Sequence, residues 1–418
     1  MCSLTIGSFL SGLCFEYDTV KVVRIESKYA GILSRLVQIF IISYVIGYVL
    51  LYQKGYQKFD SVHSSINTKV KGVLVTNYSD DEFSNYVVHH HYKSLYNKIW
   101  DVNDYVIPAK ENGVFFVVTN VIITPNQTQS TCKELYSVPG AKCQSDQDCP
   151  SGKNLGPKGH GILTGKCQDS ICLINAWCPV ENDSIFPLKN NMAILNQSRN
   201  LTVLIKNFIQ FPYYKLHTTN ILPNSNTSYL KSCLYNEETD PYCPIFKLDY
   251  IVNKAGYKYE DISMHGCSIV IGINWECDLD KDFMSNCRPI YSFNRLDNPY
   301  SKIDPGWNYR YSNYYSENRR TLHKVFGINF RVEVMGRAGQ FNIIPTFLNV
   351  GAGLATLGVA TVICDAFILY VSKDKHLYRI KKFLNVKRSN GMHQDLYDTY
   401  DSDDNLDERS VIITHDSV

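Results

Sequence analysis

Two short segments of this chain set cations beside aromatic or β-branched residues at the two-residue spacing of a strand. In Thr68-Lys69-Val70-Lys71 the two ammonium groups fall on one face, because side chains two apart in a strand point the same way. In Asn308-Tyr309-Arg310-Tyr311 the same period puts Asn308 and Arg310 on one face and both tyrosines on the other, and Lys324 follows shortly after. Taken singly, each is a solvated strand face. Converging in space, the cations would seat a polyphosphate, each pair gaining up to ~4 kcal/mol gross at about 4 Å and an effective dielectric of about 20, before desolvation. Spacing does not by itself establish that convergence. The run His89-His90-His91 has the residue type for a transition metal, but in a stretch rich in Tyr and Asn it reads as a solvated loop, and no metal site is assigned. The chain has no Gly-rich loop ending in Gly-Lys-Ser/Thr, no Gly-x-Gly-x-x-Gly after a strand, no His-Glu-x-x-His and no Gly-x-Ser-x-Gly. No catalytic residue is therefore named, and an enzyme is not expected.

The cations need a scaffold, and the cysteines outline it. Of 14 Cys, ten form groups: Cys132, Cys143, Cys149, Cys167, Cys172 and Cys178, then Cys233 with Cys243, then Cys277 with Cys287. Their spacings are not the Cys-x-x-Cys pairs that suit tetrahedral zinc, so disulfides are expected. Cys267 is the odd one out and reads as a buried free thiol. Short β-branched or aromatic runs at residues 114–123, 201–205, 269–275 and 326–334 predict strands, and hence a β-rich domain with a Cys- and Gly-rich flap over 132–178.

Two stretches differ from the rest. Residues 36–53 carry no charge and are bracketed by Arg35 and Lys54, and residues 341–364 are charge-free for 24 positions. Both predict membrane-spanning helices. A signal peptide does not fit the first, which begins after some 30 residues and lacks a small-residue cleavage site. Six sequons, at Asn77, Asn126, Asn182, Asn196, Asn200 and Asn226, and 11 of the 14 Cys lie between the spans, placing that loop outside the cell as glycosylated ectodomain. Seven Lys/Arg between Lys373 and Arg388 support a cytosolic C-terminus. The expected organisation is a cytosolic tail over 1–32, spans over 33–53 and 341–370, an ectodomain over 54–340, and a second cytosolic tail over 371–418. Cys2 and Cys14 fall in the first tail, as plain or palmitoylated thiols. The second tail turns acidic over 395–408 and reads as a solvated segment. Across 418 residues, 42 Lys+Arg against 40 Asp+Glu with 44% hydrophobic residues excludes wholesale disorder and a polyanion-coating protein, so the expected partner is a lipid membrane and not nucleic acid.

The ordered set of TKVKG at 68–72, IWDVNDYVIP at 99–108, AWCPVE at 176–181, DPYCPIF at 240–246, YSFNRLD at 291–297, GWNYRYSNYY at 306–315 and IIPT at 343–346, with two spans and ten Cys in order, resembles the P2X purinoceptors. The likeness runs from about Tyr17 to Tyr378. It implies a trimeric, ATP-gated, non-selective cation channel with one ATP in each subunit interface, in the plasma membrane with both termini cytosolic. Homotrimers or hetero-trimers with related subunits are implied, with no cofactor beyond ATP, with or without Mg2+. By this resemblance Lys69 and Lys71 contact ATP phosphates and Thr202 contacts the adenine. Asn308, Arg310 and Lys324 complete the site from the adjoining subunit. The implied disulfides pair Cys132 with Cys178, Cys143 with Cys167, Cys149 with Cys172, Cys233 with Cys243 and Cys277 with Cys287. The resemblance also assigns the pore mainly to the second span. Helical spacing puts Asn349, Ala352 and Thr356 on one stripe of that span, taken to face the permeation path. Gly351 and Gly353 are read as permitting close helix approach or bending.

Some segments depart from the family pattern. The connection over 80–96 is longer than usual, the stretch over 315–320 is shorter, and Tyr309 stands where Phe is usual. Residues 17–21 match the threonine-x-basic motif, while the Tyr-x-x-x-Lys retention spacing fits Tyr378 to Lys382 and not Tyr370. The alternatives are a non-conducting receptor or scaffold subunit active only in hetero-trimers, and an acid- or sodium-handling two-span channel. The Lys and Asn-x-Arg motifs favour the nucleotide reading over both.

Overall fold

The computed structural model describes residues 28–108, 111–222, 228–301, 306–372, 375–376 and 379. Cys2, Cys14, the motif at 17–21, the Asn226 sequon, the 378–382 signal and the acidic segment 395–408 lie outside the described residues. The chain forms two compact units, one of residues 57–341 and one of residues 1–56 with 342–418.

In the larger unit the strands are β1 (Gln57–Ser61), β2 (His63–Lys71), β3 (Leu74–Val75), β4 (Ile99–Trp100), β5 (Val114–Lys133), β6 (Gly161–Gln168) and β7 (Ile171–Cys178). They continue as β8 (Thr202–Phe211), β9 (Leu216–Thr219), β10 (Ile245–Lys247), β11 (Cys267–Asp278), β12 (Pro289–Arg295), β13 (Asn308–Ser316) and β14 (Arg319–Phe341). Eight of them make one sheet in the order β12-β11-β14-β5-β7-β6, with β1 and β13 also on β14. A four-stranded sheet runs β10-β8-β2 with β9 on β8, and β3 pairs β4. β14 is the spine. Its first half bonds β13 and β5, and its second half bonds β11 in parallel and β1 antiparallel. The strands run longer than their apolar runs predict, because ladder pairing continues past the buried residues. β5, expected to end at Ile123, continues to Lys133 along β7. A register shift between Phe326 and Gly327 interrupts the β14–β5 ladder, and only glycine fits there, since a Cβ on Gly327 would lie 2.2 Å from the Val117 carbonyl oxygen.

The core lies on the inner faces of these sheets. Val117, Val203, Ile205, Ile269, Ile271, Ile273, Ile328 and Phe330 are fully buried; β8 alternates buried and open positions, whereas β5 is buried continuously over residues 115–125 and is covered on both faces. Trp275 joins the sheets through a buried polar chain: its Nε1 donates to Asn207 Oδ1 at 2.8 Å, Asn220 Oδ1 accepts from the Asn207 backbone N–H at 2.9 Å, and Asn220 Nδ2 donates to Tyr291 Oη at 3.0 Å. Cys267 is a free, buried thiol pushed up to about 12 by desolvation. The Cys-rich flap has a separate small core of Cys143, Cys149, Leu163, Cys172 and Ile174 around the β6–β7 hairpin. The five disulfides are Cys132–Cys178, Cys143–Cys167, Cys149–Cys172, Cys233–Cys243 and Cys277–Cys287, the pairs that the resemblance implies. A flap with so little apolar interior depends on three of these bridges for its shape.

In the smaller unit two apolar helical runs, Lys28–Tyr52 and Ile343–Val371, are long enough to cross a bilayer. The second opens on Asn342, whose Oδ1 accepts the Ile344 backbone N–H at 2.9 Å, an N-cap. Gly353 is buried against the first span, and a Cβ there would stand 2.7 Å from Val45 Cγ1, so glycine sets the closeness of the two helices. Gly351 has nothing within 4 Å.

Candidate functional site

The predicted cations gather into two groups on different sheets. On the four-stranded sheet the β2–β8 register sets Lys71 opposite Thr202 and Lys69 opposite Leu204. Val70 is buried while Lys69 and Lys71 are exposed, which bears out the period-two reading. Lys69, Lys71 and Thr202 line a cavity of about 410 Å3 with Lys231 and the apolar side chains of Leu204, Leu230 and Ile245. Among the described residues no carboxylate lies in ion-pair reach of Lys69 or Lys71, although Glu111 lines a second cavity, of about 520 Å3, with both of them. Lys231 has no strand-period signal. It enters from the short helix Tyr229–Ser232, beside the Cys233–Cys243 bridge.

The second group sits on the eight-stranded sheet. There the β13–β14 register places Arg310 directly opposite Lys324, with Asn308 opposite Phe326. Two like charges facing each other across a ladder are unfavourable, and two carboxylates just past β7 offset them. Arg310 Nε donates to Glu181 Oε2 at 2.6 Å, an Arg310 terminal nitrogen stands 3.5 Å from Asp183 Oδ2, and Lys324 Nζ donates to the same oxygen at 2.9 Å. Lys324 is nearly buried, its side chain 9% exposed, and its ammonium also lies over the Phe326 ring. The Lys324 hydrogen bond holds the Asp183 carboxyl below the usual carboxylate range. Tyr309 and Tyr311 point to the packed side: Tyr309 Oη donates to the Ile107 carbonyl and its ring meets Phe116, and Tyr311 stacks on His323 at 4.8 Å. Arg310 lines a cavity of about 650 Å3 under the flap, with Glu181, Asp183, Lys158, His160 and Arg320. Glu181 and Asp183 were missed because a motif search for phosphate ligands looks for cations. The signal was Glu-x-Asp directly after AWCPV, two carboxylates at short spacing in a segment already singled out.

The remaining predicted positions are dispersed. Asn77, Asn126 and Asn200 are exposed and Asn182 and Asn196 half-buried, and Asn126 Oδ1 accepts from Arg319 at 2.9 Å. On the second span Ala352 and Thr356 are exposed. Asn349 donates its amide to the Gly55 carbonyl at 2.7 Å, and Thr356 Oγ1 donates back to the Gly353 carbonyl at 2.7 Å. In the long 80–96 connection the triple-His run packs by its middle ring: His90 stacks on Tyr92 at 5.4 Å and meets the tilted ring of Tyr86 at 4.2 Å, and its Nδ1 is 2.8 Å from the Tyr86 carbonyl.

Two apolar spans flanking a disulfide-bonded β domain that carries two separate groups of cations define a two-span membrane receptor. The model of the ATP P2X receptor family matches residues 15–385. The mouse P2X purinoceptor 4 is 45% identical over 397 residues, covering 92% of this chain and 96% of that receptor. Among solved structures, an invertebrate P2X receptor from the Gulf Coast tick, determined in the presence of ATP and Zn2+, superimposes with a TM-score of 0.76 at 42% identity, over 80% of this chain and all of that one. The chicken ATP-gated P2X7 receptor channel, determined with the competitive antagonist TNP-ATP, gives 0.65 at 35% identity, over 82% and 100%. This chain belongs to the P2X receptor family, whose members are ligand-gated channels and not enzymes.

Proposed function

We infer that this chain is a subunit of a trimeric plasma-membrane cation channel opened by extracellular ATP, with no catalytic activity of its own. The observation that carries the site is the separation of its cations. Lys69, Lys71 and Thr202 line one cavity and Arg310 another, with Lys324 opposite Arg310 in register, and the two groups stand on different sheets of one chain. A triphosphate therefore takes one strip from each of two neighbouring subunits. The apolar wall beside Thr202 receives the base, and the phosphates lie between the Lys69–Lys71 strip of one subunit and the Arg310–Lys324 strip of the next. Asn308 sits on the Arg310 face of β13. ATP is taken up with or without Mg2+, and no resident cofactor is assigned.

The ion pairs give the chemistry of the switch. Within one chain Arg310 and Lys324 are held by Glu181 and Asp183. Phosphate oxygens replace these carboxylates, so ATP exchanges a contact within one subunit for a contact between two. The liganded state is favoured only by the difference between the two sets of contacts, which is the energy available to open the pore. In this reading residues 54–340 are extracellular, 1–32 and 371–418 are cytosolic, the five described sequons and Asn226 are glycosylation sites, and Ala352 and Thr356 line the pore. Whole-cell current from cells expressing the chain alone, during rapid ATP application with extracellular sodium present or replaced by a large cation, tests it. An inward sodium-carried current is expected. Its absence with the protein at the surface would overturn the reading for the homotrimer.

A further inference from the structure

The histidine run at 89–91 takes no part in the ATP reading, yet it is not loose chain. The short helix Asn85–His89 ends in a Schellman cap, in which the Tyr92 N–H bonds the Val87 carbonyl at 3.0 Å and the His91 N–H bonds the Val88 carbonyl at 3.1 Å. His91 fills the left-handed position of that cap, at φ +56°, a conformation that glycine adopts freely and a β-carbon disfavours. Buried Phe83 and Val87 tie the segment to the domain. So do backbone bonds of 2.8 Å from the Ser84 N–H to the Pro187 carbonyl and from the Lys189 N–H to the Glu82 carbonyl. Three exposed imidazoles therefore stand on one anchored turn.

The middle ring is fixed by its neighbours. His90 lies against the rings of Tyr86 and Tyr92, and its Nδ1 is 2.8 Å from the Tyr86 carbonyl oxygen. A carbonyl only accepts, so the ring proton is on Nδ1 and the lone pair is on Nε2. A backbone carbonyl holding the far nitrogen is the arrangement that orients metal-ligating imidazoles. The His89 ring is next to it, its centre 5.0 Å away at an interplanar angle of 63°. Two imidazoles sharing one tetrahedral ion, with nitrogens at about 2.0 to 2.1 Å, have their ring centres about 5.2 Å apart. The pair is spaced for a common ion.

We propose that His89, His90 and His91 form a transition-metal site of the ectodomain, taking Zn2+ or Cu2+. His90 gives Nε2, and His89 turns its exposed ring to the same point. His91 adds a third nitrogen by rotation of its exposed side chain, and water takes the remaining position. Imidazole donors suit these ions, whereas Ca2+ and Mg2+ take oxygen. Two carboxylates of the same connection are engaged elsewhere: Asp80 pairs with Lys93, and Glu82 accepts the Ser79 N–H at 2.8 Å and its hydroxyl at 2.9 Å. The left-handed His91 then has a reason, since glycine would suit the cap better but would bring no ligand.

The test is calorimetric titration of the purified full chain with Zn2+ alone, for the native protein, His90→Gln, His91→Gly and a variant with all three histidines changed to Gln. The chain has 11 His, so the differences between proteins are read and binding elsewhere cancels. The native protein is expected to take one more Zn2+ per subunit than the triple variant, with a Kd of roughly 1 to 10 μM. His90→Gln and His91→Gly are each expected to weaken that binding at least about tenfold. His91→Gly, which suits the left-handed cap, should not lower the unfolding temperature, so its weaker binding would not reflect misfolding. With one equivalent of Cu2+, the electron paramagnetic resonance spectrum should show imidazole nitrogen couplings that the triple variant lacks. Equal Zn2+ stoichiometry and affinity in the native protein and the triple variant overturns the site. Unchanged affinity in His91→Gly overturns the third ligand and the reason given for its backbone. None of these outcomes depends on ATP.

Discussion

Asp183→Asn tests whether the carboxylates compete with ATP. The substitution keeps the shape and an acceptor oxygen but removes the charge that Lys324 and Arg310 share, at 2.9 and 3.5 Å. Each pair gains about 5 to 6 kcal/mol gross at an effective dielectric of about 20. Most of this is offset by desolvation and screening, because the Asp183 side chain is 51% exposed and that of Arg310 45% exposed. Exposed pairs net up to ~1 kcal/mol, and the near-burial of Lys324 moves the total to about 1 to 1.5 kcal/mol. ATP displaces the carboxylate when it binds, so removing it lowers the half-maximal ATP concentration by roughly five- to tenfold, at about 1.4 kcal/mol per decade. Because Lys324 holds the Asp183 carboxyl below its usual range, the competition is intact at neutral pH and fades only as pH falls through that depressed value. The assay is a concentration–response curve with surface protein measured on the same cells. An unchanged curve would show that Asp183 does not compete, and a shift to higher ATP would show that it supports the ligand. Either result refutes the exchange of partners.

Lys71→Ala removes one charge-assisted phosphate contact, and ATP potency should fall about ten- to a hundredfold; unchanged potency would remove Lys71 from the site. Thr356→Cys should let a thiol reagent block the open channel, whereas no block counts against the pore stripe. Asn349→Ala, losing the bond to the Gly55 carbonyl, should alter surface stability or gating more than ion selectivity; a change confined to selectivity would place Asn349 on the ion path. Cys267, with its thiol pushed up to about 12, should resist thiol reagents until the domain is unfolded, and rapid labelling of native protein would contradict its burial.

The parts of the fold legible in the sequence were those written in local periodicity or in strongly restricted residue types. The charge-free runs marked both spans, and Lys69 and Lys71 flanking Val70 marked a strand with one wet face. Strand ends were not legible. β14 continues from Val334 to Phe341 through Gly336 and Gly339, residues that read as turn signals but here leave room for Trp275 and for Gln57 with Phe59. At the site, each cation pair was visible but its counter-charge was not. Arg310 and Glu181 are 129 residues apart in sequence, and only the β13–β14–β5–β7 order brings them together. The histidine run was visible as a residue type, but the cap at His91 and the tyrosine rings that fix His90 were not, since neither follows from a period.

β14 runs from Lys324 to Phe341 without a turn, some 17 residues or about 55 Å at the rise of a strand. β11 pairs it from Ile328 to Gly339 on one edge, while on the other β5 reaches Arg331 and β1 begins at Arg337, leaving residues 332–336 outside both of those ladders. Lys324 and Phe341 belong to the same strand, and the next residue, Asn342, caps the second span. Gln57, where the chain re-enters the domain after the first span, is paired in register with Phe341. One unbroken strand therefore carries both the Lys324 half of the site and the residue at which the chain leaves the larger unit.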